Sequence, residues 1–225
     1  MDNLESCTKL KDLILLTIEK EISGISDTYF NVETWRALYL NKEIPNPMFE
    51  YYSKSIDINF QSELYRVVKN SLAKELNKAT NLKLKKICER ENINLETGPP
   101  KYFLSSMFYG NSELPKQKRE YVPNIVFQAS SNTLFQILIG EIKTDPKLTY
   151  FAFKNAINQI SKTIDNHNFQ FGLFLIINNE SNRIKAFKEL YERQRTKRNR
   201  KQHMLLQRIT IINFDSINKD LKIIN

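Results

Sequence analysis

Glu141-Ile142-Lys143 is the place in this chain where residue types and spacing could do chemistry. It ends the run Leu134 to Lys143, whose composition reads as a strand. Strand side chains alternate between faces, so Glu141 and Lys143 share one face and Ile142 takes the other. By the same count Ile137 and Ile139 fall on the Glu141 face. A carboxylate and an ammonium side by side at a strand end can hold a cation, orient a water, or neutralise charge on a phosphoryl group. Chance would place about two Glu-x-Lys triplets in this composition, and the chain has one, so the triplet draws its meaning from its setting.

That setting is a second strand, Asn124 to Gln128, directly after Pro123. The polar link Ala129 to Thr133 joins the two strands as a hairpin. Glu141 stands 17 positions after Asn124, and the hairpin sets the two residues side by side at the strand ends.

The surrounding elements must position this pair. Leu4, Cys7, Leu10, Leu13, Ile14 and Ile18 predict a helix over 3–22, ended by Gly24. Trp35 and Leu38 suggest a short helix over 31–41, and Pro45 and Pro47 break the pattern. Leu64, Val67, Val68, Leu72 and Leu76 predict a helix over 61–77, and another covers 81–91. A strand is expected within Tyr102 to Phe108, and a loop over Tyr109 to Glu120. After the hairpin come a helix over 147–165, a buried strand Phe171 to Ile177, a helix from Ser181 and a strand Ile209 to Phe214. The expected architecture is α/β, a mixed β-sheet flanked by helices over 59–225, with an N-terminal helical region over 1–58.

With these residues in this order, the chain resembles the PD-(D/E)xK nuclease superfamily of restriction endonucleases and related defence nucleases. The resemblance covers about residues 60 to 215. Pro123 matches the family proline, Glu141 the second carboxylate and Lys143 the lysine. Glu63, in Gln61-Ser62-Glu63-Leu64, matches a glutamate that many members carry on the helix before the sheet. The resemblance implies a restriction-endonuclease-like fold in α-β-β-β-α-β order. It also implies Mg²⁺ held by an Asp at position 124, Glu141 and the main-chain carbonyl of Ile142, with Glu63 at a second metal or its water. Lys143 would orient the attacking water and stabilise the phosphorane, leaving a 5′-phosphate and a 3′-hydroxyl.

The departure from the family pattern is Asn124 where aspartate belongs. An amide oxygen is a neutral, poor ligand for Mg²⁺. Asp→Asn keeps shape and removes charge, so the expectation is an endonuclease inactivated at this position. The alternative is a non-catalytic nucleic-acid-binding protein on a decayed nuclease fold. Each residue also has a plainer reading: Glu141 and Lys143 as a solvated ion pair, Glu63 as an exposed helix glutamate.

A second feature is the basic run Arg193, Arg195, Lys197, Arg198, Arg200, Lys201, read as extending the helix from Ser181. Such a run is either a solvated face or a polyanion contact. Lys116, Lys118 and Arg119 lie in the loop before Pro123, where they could close on substrate.

Composition narrows the classes. The chain has 225 residues and a formal net charge of +9, which favours a nucleic-acid partner, double-stranded DNA first. Cutting both strands with one site per chain implies a homodimer. Two cysteines give no disulfide framework, and His167 and His203 lack metal-ligand spacing. No glycine-rich phosphate loop occurs. The longest apolar run, Phe171 to Ile177, is too short to span a membrane, and no secretory leader is visible, so a cytoplasmic protein is expected.

Overall fold

The computed structural model describes residues 3–26, 29, 46–97, 124–129, 133–144, 147–196 and 200–224. Side chains at 46–58, 94–97, 133, 195–196 and 200–202 are outside that description. Helix α1 spans Asn3–Ile22, α2 Asn46–Leu76 and α3 Leu82–Arg90. Strands β1 (Ile93–Thr97), β2 (Ile125–Ala129) and β3 (Gln136–Lys143) follow. Then come α4 (Tyr150–His167), β4 (Phe171–Ile177), α5 (Ser181–Thr196), α6 (Arg200–Leu206), β5 (Ile209–Asp215) and β6 (Asp220–Ile223).

The strands form one six-stranded sheet in the order β1-β2-β3-β4-β5-β6. β1, β2 and β3 make an antiparallel meander. β3, β4 and β5 run parallel, and β6 returns antiparallel along β5. The parallel steps are crossed by helices, as a parallel pair requires. The expected mixed α/β class therefore holds.

Alternation along the strands divides the core into two layers. Ile125, Phe127, Leu138, Leu175 and Phe214 face the layer of α1 and α2, packing with Leu10, Ile14, Phe60 and Leu64. Val126, Ile139, Phe174, Ile176 and Ile211 face the other layer, packing with Phe153, Ile157 and Ile160 of α4 and Ile184 of α5. β4 lies centrally, buried from Gly172 to Ile177, which is why it reads as an uninterrupted apolar run.

Three expectations need correction. Helix α2 begins at Asn46, well before residue 61. Pro47 sits in its first turn, where a missing N–H costs nothing, so the proline starts a helix instead of breaking one. A strand forms at Ile93–Thr97, and a sixth at Asp220–Ile223, neither of which the apolar pattern marked. Ile137 does not share the layer of Ile139. The β2–β3 register passes from Phe127↔Leu138 to Gln128↔Gln136, so Ile137 is the extra residue of a β-bulge and joins the α1–α2 layer. The helix from Ser181 is described to Thr196 and α6 from Arg200, and residues 197–199 of the basic run lie outside the described residues. The segments 31–41, 102–108 and 109–120 lie outside the described residues.

Candidate active site

The site is built where β2 and β3 meet at the carboxyl end of β3. Register sets Ile125 opposite Gly140, so Asn124 comes opposite Glu141. The Asn124 N–H donates to the Gly140 carbonyl at 2.8 Å. The Ile142 N–H donates to Asn124 Oδ1 at 2.6 Å. The asparagine side chain thus takes a ladder position where the β2 backbone leaves the sheet. Gly140 has its own reason: a Cβ there would come 3.2 Å from the Ile125 Cβ and 3.5 Å from the Leu173 Cβ.

Glu141 and Lys143 share a face, as alternation predicts. Lys143 Nζ lies 2.7 Å from Glu141 Oε1, with the Glu141 side chain 7% exposed and that of Lys143 35% exposed. Across the parallel ladder Glu141 pairs with Phe174 and Lys143 with Ile176, both of the α4 layer. The carboxylate is therefore sunk against apolar neighbours while the ammonium reaches outward. This is not a solvated surface pair. A buried carboxylate needs a cation beside it, and Lys143 supplies one.

Glu63 sits on α2, on the layer opposite the Glu141 side chain. There Leu64 packs with Ile14, Ile18 and Ile125. Both its oxygens are engaged by Arg66: Nη2 donates to Oε1 at 2.6 Å and Nε to Oε2 at 2.9 Å. The Arg66 hydrogen bonds hold the Glu63 carboxyl below the ordinary range, against a smaller push upward from burial. Arg66 is three residues on along the helix, a spacing that could have marked it as the partner.

Among the basic residues, Arg193 is exposed on α5 with Nη2 3.7 Å from Glu189 Oε2. Arg195, Arg200 and Lys201 lie in helices, with side chains outside the described residues. Lys197, Arg198, Lys116, Lys118 and Arg119 lie outside the described residues altogether.

The fit to Mg²⁺ can be judged from the donors. One carboxylate, one amide oxygen that already accepts an N–H, and main-chain oxygens make a poor set for a hard divalent cation. Among the described residues no three His, Cys, Asp or Glu side chains group to hold a metal. The donors among the described residues do not fit Mg²⁺. Among the described residues no helix is long and apolar enough to cross a membrane. No protein family, curated protein or solved structure matches the chain.

Proposed function

We propose that the chain is built on the frame of a PD-(D/E)xK phosphodiesterase, a restriction or defence endonuclease acting on double-stranded DNA as a homodimer. The observation that carries this reading is the juxtaposition of Asn124, Glu141 and Lys143 at one strand end, with Lys143 bonded to Glu141. The element order α2, α3, β1, β2, β3, α4, β4 supports it, since it contains the α-β-β-β-α-β sequence of that fold.

In this frame Lys143 places a positive charge where a scissile phosphate would accumulate negative charge, and its ammonium can hold the attacking water. Glu141 keeps Lys143 in place and, among the described residues of the strand end, is the carboxylate able to take a proton or share a cation. The missing partner is a second carboxylate at position 124. Asn124 keeps the hydrogen bond to Ile142 and lacks the charge. This favours a form that binds nucleic acid and does not hydrolyse it, whether the asparagine replaced an aspartate or the fold has left catalysis behind.

Restoring the carboxylate decides between these. Asn124→Asp should nick supercoiled plasmid in Mg²⁺ at least about 100-fold faster than the parent chain. Lys143→Ala in that background should abolish the gain. No cleavage of duplex DNA, single-stranded DNA or RNA would leave the binding protein as the surviving reading.

A further inference from the structure

The carboxyl ends of the parallel strands form a row. Lys143 pairs with Ile176, Ile176 with Asn213, and Asn213 with Lys222. Paired residues share a face, so Lys143 and Lys222 stand on the same side of the sheet, about 14 Å apart at ordinary strand spacing. At the Lys222 end of the row lies a groove of about 380 Å³ lined by Ser181, Asn182 and Lys185 of α5 and by Lys222, Ile223 and Ile224.

Two lysines from separate elements meet in this groove, and among the described residues Lys185 makes no ion pair. Lys222 Nζ lies 3.0 Å from Asp220 Oδ2, and its charge also lowers the Asp215 carboxyl. The Ser181 hydroxyl oxygen accepts from Asn213 Nδ2 at 3.1 Å, so its proton remains to be donated. Asn213, 1% exposed, also donates Nδ2 to the Asn179 carbonyl at 2.6 Å, so this buried amide ties the start of α5 to β5, the strand beside Lys222. The first turn of α5 adds N–H groups with no intrahelical acceptor.

We infer that this groove holds a backbone phosphate of the nucleic acid, in the same row as the phosphate at Lys143 and about 14 Å along it at ordinary strand spacing. A polymer can span cationic points at opposite ends of one row, and the net charge of +9 suits a polyanion. This rests on the nucleic-acid part of the proposed function and not on hydrolysis.

The test is anisotropy of a labelled 20-base-pair duplex titrated with the full chain in EDTA over a series of NaCl concentrations. Lys185→Gln with Lys222→Gln should lower the slope of log affinity against log salt by about 0.9, the share of one phosphate contact, and weaken binding about tenfold or more at low salt. Lys185→Arg with Lys222→Arg should keep the parent slope. Asp220→Asn, which frees Lys222 from its carboxylate, should tighten binding. An unchanged slope in the glutamine variant, with the parent chain still binding, would overturn the groove and leave the nuclease reading intact. A lowered slope together with no cleavage by Asn124→Asp would uphold the groove and sink hydrolysis. Failure of the parent chain to bind the duplex would overturn the groove as well.

Discussion

Lys143 has a structural duty that can be separated from any catalytic one. Glu141 is 5% exposed, so an uncompensated carboxylate there would carry a desolvation penalty. Lys143→Ala should therefore destabilise the fold by about 1–3 kcal/mol in urea unfolding, the cost of leaving a buried polar group short of its partner. Glu141→Gln combined with Lys143→Met should recover most of that loss, because the charge leaves with its partner. An equal loss in the double variant would mean that the pair does not couple. The same pair was legible in the sequence, since a period of two needs only correct strand assignment. Ile137 was not legible, because one bulged residue shifts everything before it to the other face and nothing in Leu134 to Gly140 marks the bulge. Glu63 matched a motif position, but its helix packs on the opposite layer, and only the sheet's two-sided packing reveals that.

At the scale of elements, β4 and α4 approach closely enough to require glycine. A Cβ at Gly172 would fall 2.5 Å from Ile160 Cγ2 and 3.0 Å from Ile209 Cγ1. Gly172→Ala should cost about 1–3 kcal/mol by overpacking, read as a lower urea midpoint with an unchanged slope. The turn between β5 and β6 gives a pH prediction. Burial pushes the Asp215 carboxyl upward, but the Asn218 side chain and the N–H groups of Ile217 and Asn218, with Lys222, together hold it below its ordinary value of 3.8. A depressed carboxyl stabilises the folded state above the unfolded value and loses that contribution as pH falls through the folded one. Amide protection in β6, taken relative to the intrinsic exchange rate at each pH, should therefore fall below about pH 4, and Asp215→Asn should remove that acid dependence. Protection that is flat across this range would separate the turn from the carboxylate. β6 escaped the sequence reading because Asp-Leu-Lys-Ile is short and half charged, and β1 because Asn92 to Thr97 carries only two apolar residues. Strands of this kind form by pairing with a neighbour, not through their own pattern.

At the scale of the whole molecule, the cations proposed to meet nucleic acid lie at two separate addresses. One is the row from Lys143 to the groove of Lys185 and Lys222, set by the sheet. The other is the basic run from Arg193 to Lys201, set by sequence alone. Sites without shared partners add, and a polyanion contacting both should show each loss independently. Neutralising Arg198 and Arg200 with glutamine should lower the salt slope of duplex binding by up to about 1.8. Combined with Lys185→Gln and Lys222→Gln, the total loss should approach about 2.7, with the contact at Lys143 remaining. If the four-residue variant loses no more slope than either pair alone, the two regions compete for the same phosphates. If neutralising Arg198 and Arg200 leaves the slope unchanged, the run serves solubility, and the sheet end alone carries the polyanion.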